Sequence, residues 1–339
     1  MTIRTKLKSR PDDVLIITNG DSAVARLAAA GVSGTVLAWR DVLHDGPVPD
    51  AGGLERLSAI RAAFIATDFG LEAGEVAAEF RARDLAMRGH EGFERIEIWL
   101  EHDLYDQLQL LQILDFFRSQ HRAVGLFLVQ SNDYLGHQEP SAVRRLARKA
   151  APVTDAQLAL ASAAWAAFTA QTPHGLAALA RSDTSALPHL GGALRRLLAE
   201  LPDPLRGLTL TEERALMHLE RAETTSGELF RRVCDDDEAR FLGDASFFRR
   251  LDGLAFSERP LIEGLPATSR SFCARPADRG YAEFARARLR LTRTGHDVLS
   301  GRLDHRVVNT VDHWVGGAHV SPAAFIRYDR TQSRLVAQA

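Results

Sequence analysis

The residues of this chain best suited to chemistry stand directly behind short apolar runs. Glu101-His102-Asp103 follows IEIWL, and Asp106 lies three residues further on. A carboxylate beside an imidazole fits three roles: a general base with its orienting partner, a metal ligand with the group that fixes its tautomer, or the cap of a helix. His102 and Asp106, four residues apart, share a helical face if a helix begins that early. Capping alone accounts for Asp103 and leaves His102 unexplained. Asn19-Gly20-Asp21-Ser22 follows VLIIT and offers a tight glycine turn, free N–H groups at a helix start, and a hydroxyl, which is how phosphates are commonly held. The motif is neither G-x-G-x-x-G nor a P-loop, and Asp21 repels an anion unless Arg40 or a cation offsets it. A hydroxyl-rich, nucleotide-like or phosphorylated ligand fits, with Asp21 available to a ribose or an amine. Arg40, Asp41 and His44 belong to a loop that Trp39 and Gly46-Pro47 would fix, so Arg40 and His44 would reach over the ligand, unless Arg40 pairs with Asp41. Asp21, Asp41, Asp45, Glu101, Asp103 and Asp106 supply enough hard oxygen for magnesium or manganese, but no H-E-x-x-H spacing exists, and the cofactor stays open.

The positions of these residues depend on the elements that carry them. Val14 to Thr18, Thr35 to Ala38, Ile96 to Leu100 and Val124 to Gln130 read as strands. Helices are expected at SAVARLAAAG, near 53–67 and 72–88, and from Asp103 to Arg118, where Leu104, Leu108, Leu111, Leu114 and Phe117 share one face. Strands alternating with helices predict a Rossmann-like, doubly wound parallel sheet over residues 1–138, with ligands outside the carboxyl ends of the strands. All four strand ends are polar, the last through Asn132, Asp133 and His137, whereas the loops at Gly31 to Gly34 and Gly92 to Arg95 are poorer in carboxylates and imidazoles. That asymmetry is the main functional signal.

The 339 residues, 45% hydrophobic and 25% charged, match ordinary globular proteins of two or three domains. No apolar stretch is long enough to span a membrane, and MTIRTKLKSR lacks a signal-like apolar core, so the cytoplasm is expected. Cys234 and Cys273 are too few for a disulfide framework and lack zinc spacing. The net charge of −2 conceals a basic segment, Arg259 to Arg293, with eight arginines against Glu263, Asp278 and Glu283. With three lysines in the chain, arginine usage reads as codon bias and single arginines carry little weight.

Residues 139–205 read as helices throughout, with a capping-box spacing at Thr154 to Gln157. Over 206–300, helices from Thr209, Thr225 and Asp244 are followed by strands at Pro260 to Ile262 and Arg288 to Leu291, an order that resembles a winged helix-turn-helix. If it binds DNA, Arg270, Arg275, Arg279, Arg286 and Arg288 would meet phosphates from the hairpin, and Arg249 or Arg250 would reach base edges. Such domains also dock proteins. The tail, 301–339, mixes aromatic, glycine and hydrogen-bonding residues and is expected to pack back, where Asn309, Asp312 and His319 would join the first site or form a structural hairpin.

The segments TNGDSAVARL, WRDVLHDGPVP, WLEHDLYDQLQLLQ, PVTDAQLALASAAW, DTSALPHL and DHWVGGAHV, in that order, resemble a bacterial family, domain of unknown function 1835, over nearly the whole chain. The resemblance implies a bacterial source and a shared strand-end site; it carries over no catalytic residue. Three functions fit the sequence: an enzyme acting on a nucleotide-like or phosphorylated molecule through His102 and a neighbouring carboxylate, a ligand-responsive DNA-binding regulator, or an adaptor docking another protein.

Overall fold

The computed structural model describes residues 13–121, 125–269, 279–324 and 326–336. Strand β1 (Val14–Asn19) runs into helix α1 (Asp21–Ala29); β2 (Thr35–Trp39) leads through a loop to α2 (Leu54–Asp68) and α3 (Ala73–Arg88). β3 (Arg95–Leu100) precedes α4 (Leu104–Ser119), and β4 (Leu126–Gln130) precedes α5 (Pro140–Ala147) and the two-residue β5 (Ala151–Pro152). These strands form one sheet in the order β2-β1-β3-β4-β5. The first four are parallel, with Ile17 beside Leu37 and Ile98, and Ile98 beside Leu128. β5 is antiparallel, with Ala151 opposite Leu128. The sheet is therefore mixed rather than wholly parallel, and the stretch read as helices throughout contains a strand.

Alternation along β1 sends Leu15 and Ile17 to one face and Val14 and Ile16 to the other. α4 covers the first face with Leu104, Leu108 and Leu111; α1 and α5 cover the second with Leu27 and Val143. With both faces covered, polar side chains collect at the strand ends, and the order reverses between β1 and β3.

Beyond the sheet come α6 (Asp155–Thr169), α7 (His174–Leu179), α8 (Leu190–Leu198), α9 (Leu210–Arg221), β6 (Thr224–Thr225), α10 (Ser226–Asp235) and α11 (Asp244–Ala255). β7 (Ile262–Glu263), α12 (Arg279–Arg286), β8 (Arg288–Leu291), α13 (Arg293–Leu299) and α14 (His305–Val308) follow. Reciprocal capping boxes start α6 at Thr154 and Gln157 and α9 at Thr209 and Glu212. β8 pairs antiparallel with both β6 and β7. The chain ends in two hairpins, β9 (His313–Val315) with β10 (Ala318–Val320) and β11 (Arg327–Asp329) with β12 (Arg334–Val336). One apolar cluster runs from Leu15 to Tyr328 and joins the sheet to these later elements. No helix among the described residues is long and apolar enough to cross a membrane.

Several expectations for the C-terminal half are corrected. Arg249 and Arg250 of α11 are not available to base edges: Arg249 pairs with Asp68 at 2.6 Å and Asp252 at 3.1 Å, and Arg250 with Glu200 at 3.1 Å and Asp45 at 3.3 Å. Arg279 and Arg286 bound a helix rather than lying on a hairpin, while Arg288 starts β8 and is exposed. Arg270, Arg275, Cys273 and Val124 lie outside the described residues. In the tail, the Gly317 N–H donates to Phe168 O of α6 at 2.8 Å and Gly316 O accepts from the Val48 N–H at 2.9 Å. Of its polar residues, Asn309 bonds to the backbone of the distant Arg259 and Asp312 to His319 at 2.7 Å.

Candidate functional site

Three carboxylates meet where β1 and β3 end. Asp103 caps α4, its Oδ1 accepting the Asp106 N–H at 3.2 Å, so the capping role expected of it is real. Asp106, in the first turn, turns back to the sheet: Oδ2 accepts the Glu101 N–H and Oδ1 accepts the side-chain amide of Asn19, both at 2.5 Å. Glu101 reaches the other way, where Oε1 accepts the Leu135 N–H at 2.6 Å from the short turn after β4. The ends of three neighbouring strands are thereby stitched together through carboxyl groups. Ligand atoms of Glu101, Asp103 and Asp106 all lie within 4.8 Å of one another, and all three residues are buried.

Burial dominates their titration. It pushes Glu101 up to about 7 against the Leu135 hydrogen bond, with Asp103 repelling it further. Asp103 rises to about 6, burial outweighing the N–H groups it accepts from. Asp106 lies well above the usual carboxylate range, through burial and then repulsion by Asp103 and Glu101. Near neutral pH the cluster therefore holds a proton, or accepts a cation, rather than three bare charges.

The other predicted residues fall into three groups. At the exposed rim, Arg40 pairs with Asp21 at 2.6 Å, not with Asp41, and this offsets the repulsive carboxylate beside the α1 start. Gly20 precedes α1 with φ +29° and no side-chain cap, its N–H bonded to Trp39 O at 3.3 Å; Ser22 is exposed next to it. Asn132, Asp133 and His137 are also exposed. A second group is structural. Buried Asp41 accepts from Arg61 Nε at 2.9 Å, and Arg61 also donates to the carbonyls of Val42, Asp45 and Pro47, clamping the loop after β2. His44 does not reach over a ligand: it is buried edge-on against Tyr105 and Phe241, its nitrogens without hydrogen-bond partners among the described residues, and burial lowers its pKa.

His102 stands alone. It makes no hydrogen bond to Glu101, Asp103 or Asp106; its ring packs on Tyr134 at 5.2 Å and on His189 at 6.0 Å. Burial holds its pKa below the ordinary value, against the pull of Asp133 and Glu238. The expected histidine–carboxylate couple does not form among the described residues: the three carboxyls bond to backbone N–H groups and to Asn19, while the His102 ring lies against Tyr134 and His189. Sequence reasoning missed His189, Tyr134 and Leu135. Of these His189 carried a signal, lying within DTSALPHL, but in a helical region that gave no chemical clue.

No protein-family model matches the chain, and no curated protein matches it.

Proposed function

We propose that the crevice outside β1 and β3 binds a small polar molecule, nucleotide-like or phosphorylated, and that the Glu101–Asp103–Asp106 trio exchanges a proton with it, making the protein an enzyme of acid–base type. The observation that carries this reading is the mutual 4.8 Å approach of three buried carboxyls at the point where strand order reverses. Sites of this kind in open α/β sheets favour that position, and titrations displaced towards neutrality favour proton exchange. Half-buried Asn19 links the trio to the rim, where the uncapped α1 start, Ser22 and Arg40 suit an anionic or hydroxylated group.

A divalent ion is the second reading, favoured by the same spacing of oxygen ligands. The two are separated by thermal denaturation of the wild type, Glu101→Gln and Asp106→Asn with nucleotides, magnesium or manganese, alongside native mass spectrometry for retained ligand. Stabilisation of the wild type by a nucleotide, lost in Glu101→Gln, supports the acid–base reading; stabilisation by the metal alone supports the second. No stabilisation by either, with no retained ligand, contradicts both.

We read the sheet as Rossmann-like and the elements from α9 to β8 as a winged helix. The inward ion pairs of Arg249 and Arg250 favour a packing role for that unit over DNA binding. The resemblance to domain of unknown function 1835 is part of the same proposal, as is a cytoplasmic location.

A further inference from the structure

His102 lines a cavity of about 570 Å³ whose walls do not include Glu101, Asp103 or Asp106. The cavity lies between the β3–α4 turn, the helices α8 and α9, the segment after α10, and the β11–β12 hairpin. Its size is that of a small-molecule site. His189 faces His102 across it, joining two residues 87 positions apart.

Most of the charged wall is internally matched. Arg196 pairs with Asp237 at 2.6 Å and Glu200 at 2.5 Å, Arg214 with Asp237 at 2.5 Å, Arg330 with Glu213, and Asp236 with His218 at 2.9 Å. Two charged residues of the wall make no ion pair among the described residues: Arg195 and Glu238, both exposed. The His102 Nδ1 atom is buried without a hydrogen-bond partner, and the His189 ring makes no hydrogen bond among the described residues. A guanidinium and two imidazoles thus line one space with unused hydrogen-bonding capacity. A metal ion is the poorer occupant: among the described residues neither imidazole belongs to a group of three mutually close ligand atoms, and the nearby arginines repel it.

We propose that this cavity is a second ligand site, taking a small molecule with a carboxylate or phosphate group that Arg195 grips with its planar fork while His102 and His189 donate to it. Arg195 suits that role because its guanidinium presents parallel N–H groups to two oxygens of one anion. A neutral imidazole already carries one N–H donor, so each ring can place a hydrogen bond on the bound oxygens. The site is independent of the carboxyl trio and stands or falls apart from it.

The test follows the proton NMR signals of the imidazoles at fixed pH and ionic strength, titrating inorganic phosphate in one arm and acetate in the other. His102→Gln and His189→Gln identify two of the twelve histidine signals. Both should shift saturably in at least one arm, and the arm that saturates first identifies the anionic group. Arg195 is exposed and unpaired, so Arg195→Gln leaves the fold intact; it should weaken the anion about tenfold or more. Neither signal moving in either arm, or movement with the same midpoint in Arg195→Gln, overturns the proposal.

Discussion

Arg250 of α11 reaches back across the molecule to Glu200 at 3.1 Å and to Asp45 at 3.3 Å, a single guanidinium joining α11, the segment after α8 and the loop after β2. Glu200 Oε1 also accepts hydrogen bonds from Arg196 and Thr211, and the carboxylate is held far below the usual range by Arg250 and Arg196, despite burial.

Removing Arg250 leaves two largely buried carboxylates short of their partner, a loss on the order of 3–5 kcal/mol. Arg250→Met should lower the urea midpoint accordingly, with an unchanged slope. A loss under about 1 kcal/mol would show that the network does not bind the later helices to the sheet.

The tail makes a second join. Gly316 has φ +62°, and a Cβ there would stand 2.1 Å from Phe168 O. Gly316→Ala should therefore cost more than about 2 kcal/mol through strain and displaced backbone. Equal thermal midpoints for Gly316→Ala and the wild type would mean that the β9–β10 hairpin does not anchor on α6.

Much of this architecture was legible in the sequence, for reasons tied to particular residues. β-branched runs such as VLIIT mark strands, and the spacing of Leu104, Leu108 and Leu111 marks the face of α4 that covers the sheet. Ala151-Pro152 offers no alternation, so β5 left no trace. At the site, the convergence of Asn19, Glu101, Asp103 and Asp106 follows from parallel strands ending at one rim. The separation of His102 from Glu101 does not, since neighbours in sequence read as partners until their separate partners, Leu135 for one and Tyr134 and His189 for the other, are seen. Arg249 and Arg250 illustrate the other limit: a helical basic pair looks like a nucleic-acid contact until its acids, Asp68 and Glu200, arrive from distant segments.

The raised carboxyls also govern how stability depends on pH. Glu101 near 7 and Asp103 near 6 lie above their ordinary values of 4.5 and 3.8, so the folded protein keeps protons that the unfolded chain has already released. Their contribution is complete below the ordinary values and is lost as pH rises through the folded ones. The thermal midpoint should fall between about pH 5 and 7.5, a change on the order of 1–3 kcal/mol. Glu101→Gln, which keeps an acceptor for the Leu135 N–H but does not titrate, should flatten that fall. Parallel curves for the two proteins would remove Glu101 from the explanation.

The carboxyl carbon of Glu101 reports on the trio most directly. In carbon-13 NMR, with its signal identified by absence in Glu101→Gln, it should titrate with an apparent midpoint of about 7, shared with its neighbours. A midpoint near the ordinary 4.5 would contradict the proton-holding cluster on which the proposed chemistry rests.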